Sequence, residues 1–265
     1  CHYHLRKKLY LLLTYWQYLY NYYVLYLYAC FGCECTCHPY RMMFRIPYIA
    51  YKSMSQLIKI GIFSGSRFPM IGATSSISLS TITSELKMFS SVLDISRHTI
   101  VYGGGEAGLM GIIPSHYSAR GGTVLGVDCS MFTNKYGIAN FGKQFICPDF
   151  TTRQQRLIEL SDLFIVLPGG VGTLYELMDV LVKNDLSLWV STDLQDPPPK
   201  QKRILVYNYN NCYSALRTAM QQFVDSGLIA QSTFATITWC ESISDVIAIV
   251  DKLDFDEDHV DEECA

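Results

Sequence analysis

The chain has 265 residues, of which 49% are hydrophobic, and its formal net charge is −3. This length suits one α/β domain with extensions, and the slightly negative charge argues against a basic nucleic-acid-binding surface. Seven acidic residues lie between Asp254 and Glu263. They predict a solvated, disordered acidic tail over residues 253–265.

Residues 1–53 differ in composition from the rest of the chain. Seven tyrosines lie between Tyr15 and Tyr28, and residues 9–33 carry no charge. Three interpretations are open: a membrane anchor, a targeting leader, or upstream sequence translated by a gene model, with Met54 as a natural start. The length and a basic flank suit an anchor, whereas the many tyrosines do not. We therefore predict the fold from residue 54 onward.

The ten cysteines fall into two groups. Four of them crowd one segment and are followed by His38; they are Cys30, Cys33, Cys35 and Cys37. This segment could be drawn as a zinc knuckle, but no second ligand pair follows at finger spacing, so we expect no metal site. The scattered cysteines are typical of reduced thiols in a cytosolic protein, which predicts a cytoplasmic location.

From Leu57 onward, short apolar strands alternate with helical patterns. The predicted strands are 58–63, 99–102, 123–127, 163–167, 204–207 and 235–239. The predicted helices are 75–96, 107–119, 152–161, one from Glu176 toward Val182, 213–226 and 242–253. Residues 194–203 contain three consecutive prolines and are predicted to form a loop. This alternation predicts a single α/β domain over residues 54–252, with a doubly wound parallel sheet.

The stretch from Pro168 to Glu176 carries the strongest indication of function. An apolar strand precedes Gly169, Gly170 and Gly172, and a helical pattern follows Thr173. A strand, a glycine turn and a helix start point backbone N–H groups and the positive end of a helix dipole at one spot. The sequence therefore predicts an anion site there, with the Glu176 carboxylate one turn into the helix.

Glu176 also has a structural interpretation. Thr173 and Glu176 fit a capping box, in which the glutamate accepts a hydrogen bond from a backbone donor at the helix start. A capping box does not require three glycines before it, whereas the close approach of a phosphate to the backbone does. The glycines therefore favour a site.

A second glycine turn follows the second predicted strand. Gly103, Gly105 and Gly108 match the dinucleotide-binding fingerprint, with Asp128 downstream as a candidate ribose-binding acid. The fingerprint normally follows the first strand, so we favour a tight turn with close helix–sheet packing over NAD binding. A mononucleotide lying along both glycine turns fits better still.

Three further polar residues lie near these motifs. Arg153 and Arg156 lie one turn apart on a short predicted helix; they form either a solvated face or a guanidinium site for a phosphate. Asp179 follows Glu176 at i+3 on the same helix face, and could be a second site carboxylate or an exposed residue.

Together these motifs resemble the Lonely Guy family of cytokinin riboside 5′-monophosphate phosphoribohydrolases, some of which are labelled lysine decarboxylases. The resemblance covers about residues 55–252. It rests on Gly65-Ser66, on the run Val101 to Gly111, on Arg153, on Ser161-Asp162 and on the Pro168 to Glu176 motif.

The resemblance implies a Rossmann-like, usually dimeric enzyme without a cofactor, which hydrolyses a purine nucleoside 5′-monophosphate to free base and ribose 5-phosphate. It implies that Arg153 and Glu176 are catalytic. It also implies substrate- and phosphate-binding positions, which are Gly65, Ser66, Gly104, Gly105, Gly169, Gly170, Gly172 and Thr173. No nucleic-acid partner is expected, and a membrane is a partner only if residues 1–53 are an anchor.

The chain departs from the family pattern at several positions. Gln154 stands where the family commonly has lysine, Phe150 where it commonly has methionine, and Arg67 follows Ser66. These departures touch the base and substrate pocket more than the catalytic pair. A decarboxylase would need pyridoxal phosphate and a Schiff-base lysine, and nothing aims Lys183 at the pocket. The alternative function is a nucleotide or molybdenum-cofactor carrier of the same fold.

Overall fold

A computed structural model describes residues 57–68, 78–190 and 200–259, with only the backbone for 189–190 and 254–259. Seven strands form one sheet in these ranges. They are β1 Ile58–Phe63, β2 His98–Tyr102, β3 Thr123–Cys129, β4 Lys143–Cys147, β5 Leu163–Val166, β6 Arg203–Tyr207 and β7 Ile237–Cys240. Every pairing is parallel, which confirms the predicted parallel sheet.

The α-helices connect these strands. They are α1 Leu79–Val92, α2 Ile112–Ala119, α3 Ser130–Tyr136, α4 Phe150–Leu160, α5 Val171–Val190, α6 Ser214–Asp225, α7 Gln231–Phe234 and α8 Ile243–His259. Two 3₁₀ turns, Gly108–Gly111 and Tyr209–Asn211, precede α2 and α6. The first of them occupies the start of the helix predicted over 107–119.

Two hydrophobic cores lie on opposite faces of the sheet, so the predicted double winding is confirmed. Ile60 and Ile62 of β1 pack with side chains of α1, α2 and α8. Phe63 points to the other face and packs with side chains of α4, α5 and α6. Neighbouring residues of β1 serve opposite cores because side chains alternate along a strand.

The strand order reverses beside β1. The sheet runs β4-β3-β2-β1-β5-β6-β7, so β1 to β4 extend to one side and β5 to β7 to the other. In open α/β sheets, ligands bind outside the carboxyl ends of the strands at such a switch point. The glycine turns that follow β1 and β5 lie at this place.

Several boundaries differ from the prediction. Strand β4 was not predicted, because its residues, Lys-Gln-Phe-Ile-Cys, mix polar and apolar side chains at a half-exposed edge of the sheet. Helix α5 runs to Val190, well beyond the predicted Val182. Helix α8 continues to His259, so the predicted boundary at residue 252 falls inside it. The interpretations of residues 1–53, and most of the predicted 194–203 loop, lie outside the described residues.

Candidate active site

The loop between β5 and α5 is open at its tip. Strand β5 is fully buried, whereas residues 169–172 are exposed. A methyl group added to Gly170 or Gly172 would meet no atom within 4 Å. Helix α5 begins at Val171, and the amide of Leu174 donates to Gly170 O at 3.0 Å. The backbone amides just before Leu174 lie ahead of this first helical hydrogen bond, so they have no acceptor within the helix. Amides of this kind at the start of a helix bind anions.

Gly169 and Thr173 shape the back of this loop. A Cβ on Gly169 would lie 2.1 Å from Thr173 Oγ1 and 2.9 Å from the Gly65 amide nitrogen. Thr173 itself is buried. Gly169 is therefore required for close packing, while Gly170 and Gly172 keep the surface of the loop clear.

The glycine turn after β1 joins the loop directly. The Gly65 amide donates to Pro168 O at 3.1 Å, and the Met110 amide donates to Gly65 O at the same distance. Ser66 is exposed. Gly108, with φ +64°, lies so close to the Ser66–Arg67 backbone that a Cβ would come within 2.4 Å of it. The three predicted glycine turns thus meet at one edge of the sheet.

Arg153 is held across the ends of β2 and β3. It lies in the first turn of α4, which Asp149 caps by accepting a hydrogen bond from the Thr152 amide at 2.8 Å. Arg153 Nε donates to Val127 O at 3.0 Å, and a terminal nitrogen donates to Gly103 O at 3.1 Å. The other terminal nitrogen, Nη1, lies 3.4 Å from Glu176 Oε1. The interpretation that Arg153 belongs to a solvated helix face is wrong, because the residue is only 5% exposed.

The glycines after β2 make room for protein side chains. A Cβ on Gly103 would lie 2.3 Å from a terminal nitrogen of Arg153, and one on Gly105 would lie 2.5 Å from Met110 Cε. Gly104, with φ +81°, packs against Asp128, whose Cβ would lie 2.6 Å from an added methyl group. This agrees with the interpretation of the fingerprint as a tight turn with close packing.

Glu176 faces Arg153 from α5. Because the helix begins at Val171, Thr173 lies inside its first turn and cannot be its N-cap. The capping-box interpretation is therefore wrong. Glu176 is buried, and burial raises its pKa to about 7, although the nearby Arg153 charge acts in the opposite direction. A buried carboxyl group that titrates near neutrality is suited to proton transfer.

Asp179 occupies a different environment. Its carboxylate lies 3.1 Å from Lys183 Nζ in an i,i+4 ion pair on the more exposed side of α5. Lys183 is itself well exposed. The structure therefore does not bring Asp179 into the Arg153–Glu176 contact, and its role as a second site carboxylate stays a prediction.

The sequence motifs assigned no role to several polar groups near this edge, although Gln154 was noted as a departure from the family pattern. Ser64 Oγ, at the end of β1, and both polar atoms of the Gln154 side chain are buried without a hydrogen-bond partner among the described residues. The Tyr213 hydroxyl donates to Leu167 O at 2.8 Å, directly behind the glycine loop. No motif spacing points to Tyr213, because it reaches the loop from a separate strand–helix unit.

The described residues contain no group of three His, Cys, Asp or Glu side chains that could hold a metal ion. Their cysteines are free thiols, of which Cys129, Cys147 and Cys240 are buried. The cysteine cluster at 30–37 lies outside the described residues. Within the part of the chain that the structure covers, every helix is too short or too polar to cross a membrane.

One solved structure of low sequence identity agrees with this fold. A structural-genomics protein, TM1055, is 12% identical with a TM-score of 0.50, and the match covers 74% of this chain and 99% of that one. The molybdenum cofactor binding protein from Rippkaea orientalis matches with 15% identity and a TM-score of 0.48, covering 75% and 98%.

Sequence comparisons are more specific. The family model described as "Possible lysine decarboxylase" matches residues 110–250. A cytokinin riboside 5′-monophosphate phosphoribohydrolase from Rhodococcoides fascians is 32% identical over 58% of this chain and 74% of its own length. LOG5 from Arabidopsis thaliana, which carries the same enzyme name, is 32% identical over 51% of this chain and 55% of its own length. The chain therefore belongs to the family of the cytokinin riboside 5′-monophosphate phosphoribohydrolases.

Proposed function

We propose that this protein hydrolyses the N-glycosidic bond of a purine nucleoside 5′-monophosphate, including N6-substituted forms. The products are the free base and ribose 5-phosphate. The observation that carries the proposal is the buried Arg153–Glu176 pair beside an open glycine loop. The names of the relatives, which describe the same reaction on a cytokinin riboside monophosphate, support it.

The 5′-phosphate binds at the start of α5 in this proposal. The amides near Gly170, Gly172 and Thr173 donate to its oxygens, and the helix dipole adds a favourable field. Gly65 and Ser66 line the adjacent turn. The binding role of Gly104 and Gly105 stays a prediction, because Asp128 and Met110 pack against these two glycines. Binding the phosphate orients the ribose, so binding energy far from the reacting bond is converted into positioning.

Glu176 acts on the sugar. Breaking the bond between the base and the anomeric carbon builds positive oxocarbenium character on the ribose. The Glu176 carboxylate stabilises this charge and accepts a proton from the attacking water. The bond electrons leave with the base, which takes up one proton, and Glu176 releases the proton that it accepted to solvent before the next turnover. The oxygen of that water becomes the new hydroxyl of ribose 5-phosphate.

Arg153 keeps Glu176 ready for this step. Its positive charge favours the ionised carboxylate against the cost of burial. Its hydrogen bonds to Val127 O and Gly103 O fix the guanidinium, so the carboxylate faces one direction before substrate arrives. A negatively charged substrate oxygen near the Arg153 guanidinium would be stabilised by the same positive charge.

We also propose that the enzyme is a homodimer in the cytoplasm. Four large apolar side chains are exposed along α5 at helical spacing; they are Val171, Tyr175, Val182 and Leu186. A stripe of this kind on one helix can pack against itself in a second copy related by a twofold axis. Sedimentation of Leu186→Glu as a monomer, with wild type as a dimer, would support the interface, and a monomeric wild type would contradict it.

The proposed cytoplasmic location rests on the cysteines. The free, buried thiols fit a reducing compartment.

The function is tested by product analysis. The full chain is incubated with nucleoside 5′-monophosphates, including AMP and N6-isopentenyl AMP, and free base and ribose 5-phosphate are quantified. We expect release by wild type, a loss of about 10²- to 10⁴-fold in Glu176→Gln, and near-normal release in the matched control Glu159→Gln, which changes an exposed glutamate on α4. Full activity of Glu176→Gln would overturn the assignment. Tight nucleotide binding without release by wild type would favour the carrier alternative.

A further inference from the structure

The Tyr213 hydroxyl lies directly behind the open glycine loop. Tyr213 is buried, and its hydroxyl donates to Leu167 O at 2.8 Å. Leu167 is the residue between β5 and Pro168, so this bond holds the chain at the point where strand becomes loop. Burial raises the pKa of this hydroxyl, and the Gly169 backbone amide beside it acts in the opposite direction. The phenol stays protonated and remains a donor to the loop.

The segment before Tyr213 is built to hold the side chain in this place. Asn210 and Asn211 have φ values of +47° and +63°, a conformation that non-glycine residues adopt rarely and at a cost. The Asn208 side chain accepts a hydrogen bond from the Tyr213 amide at 2.8 Å. The same side chain donates to Ser214 Oγ at 3.1 Å and to Glu241 Oε2 at 2.9 Å. A strained turn and a buried amide therefore fix the backbone of Tyr213.

The hydroxyl forms a link between two separate parts of the sheet. Tyr213 follows β6, whereas the loop it holds follows β5 and leads into α5. The loop surface that faces solvent is lined by glycine, which gives it little stiffness of its own. From the β1 side, the Leu167 amide donates to Phe63 O at 2.8 Å and the Gly65 amide donates to Pro168 O. The Tyr213 bond to Leu167 O adds a restraint on the same segment from the β6 side.

We propose that Tyr213 is a positioning residue for phosphate recognition: its hydroxyl fixes the Leu167–Gly169 backbone so that the amides at the start of α5 face the 5′-phosphate. This inference rests on the proposed function for the identity of the phosphate, but not on the chemical step. Loss of the hydroxyl lets the loop adopt other conformations, so it weakens binding of a phosphate without changing the Arg153–Glu176 pair.

The test compares Tyr213→Phe with Tyr117→Phe. Tyr117 is equally buried, and its hydroxyl donates to two backbone oxygens, Asp94 O and His98 O, each at 3.1 Å. It lies on α2 and does not contact the glycine loop, so it reports the cost of losing a buried phenol hydroxyl alone. The ligands are ribose 5-phosphate and adenosine, measured by calorimetry, because neither is consumed by the proposed reaction.

We expect Tyr213→Phe to weaken ribose 5-phosphate binding by about 3- to 10-fold, the size of one lost hydrogen bond, and to leave adenosine binding unchanged. In steady-state assays on AMP, KM should rise by a similar factor while kcat changes less. Tyr117→Phe should leave both affinities unchanged. Equal weakening of both ligands in Tyr213→Phe, or no weakening of either, would overturn the inference.

Two results separate this inference from the proposed function. If wild type binds ribose 5-phosphate but releases no base, the function fails while the Tyr213 test still applies. If wild type does not bind ribose 5-phosphate, the inference fails. Should Tyr213→Phe not fold, Asn208→Asp replaces it, because it keeps the acceptor for the Tyr213 amide but repels Glu241, and the same selective loss of ribose 5-phosphate affinity is expected.

Discussion

Two of the three glycine turns at the carboxyl edge of the sheet, the one after β2 and the one after β5, have similar sequences and opposite roles. The turn after β2 is filled: Gly103, Gly104 and Gly105 leave space for Arg153, Asp128 and Met110. The turn after β5 is open: Gly170 and Gly172 have nothing near the position of a side chain. A glycine run therefore indicates close approach to the backbone, but not whether a protein side chain or a ligand makes that approach.

The Arg153–Glu176 contact bridges the two turns, so breaking it should have the largest effect. Arg153→Lys keeps the positive charge but cannot reach Val127 O, Gly103 O and Glu176 together. We expect kcat/KM on AMP to fall by about 100-fold or more, because the carboxylate is no longer held in place. Arg156→Lys is the matched control; Arg156 lies on the same helix in an exposed pair with Glu159. Equal losses in the two variants would mean that the contact has no special role.

Alanine at one glycine of each turn tests the comparison directly. Gly104→Ala places a methyl group against Asp128 at a residue with φ +81°, so we expect a loss of about 1–3 kcal/mol in the free energy of unfolding. Gly170→Ala meets open space, so its stability should stay within about 1 kcal/mol of wild type. Its KM for AMP should rise instead. Urea denaturation measures the stability of the two variants, and steady-state kinetics measures their KM. A Gly104→Ala variant as stable as wild type would show that the turn after β2 is not filled as described.

The pH dependence of the reaction should be a moderate effect. Burial raises the pKa of Glu176 to about 7, and the proposed step needs the carboxylate. We expect kcat/KM to fall as pH decreases, with a midpoint of about 7 and a tenfold loss per pH unit well below it. Glu159→Gln, at an exposed glutamate on α4, should keep the same midpoint. An acid limb centred near pH 4.5 would mean that burial does not raise the pKa of Glu176.

The smallest expected effect comes from changing Asp128, which packs against the glycine turn after β2. It is an effect on stability rather than on activity. Burial raises the pKa of Asp128 above its unfolded value. The folded state therefore binds this proton more tightly, and the stability that it contributes is lost as pH rises. This loss begins as pH rises through the ordinary value of 3.8, so we expect Asp128→Asn to reduce the fall in Tm, relative to wild type, between pH 3.5 and pH 8. Asp162→Asn, which removes an exposed carboxylate at the other end of the sheet, should not. An unchanged Tm difference in Asp128→Asn would contradict the expected penalty.

Sequence patterns located most of the fold and the loop of the site. The central strands are rich in apolar residues because they are buried on both faces, so β1, β5 and β6 were placed within one residue of their observed ends. Edge strand β4 has no such run and was missed. The start of α5 was placed too late, because glycine and valine at its first turn do not look like a cap.

The sequence by itself determined the parallel α/β sheet and the three glycine turns. Local patterns suffice for these features because buried strands and glycine turns are visible in runs of adjacent residues. The choice of Arg153 and Glu176 as candidate catalytic residues came from the family resemblance, because the spacing of Arg153 left a solvated face and a site both open. The Asp179–Lys183 ion pair joins residues four apart on one helix face, so local spacing allows it. Only the tertiary structure decided that Glu176 is buried against Arg153 and that the Tyr213 hydroxyl donates to Leu167 O. These two contacts join residues that are distant in sequence, and burial, which raises the pKa of Glu176, depends on how those distant segments pack together.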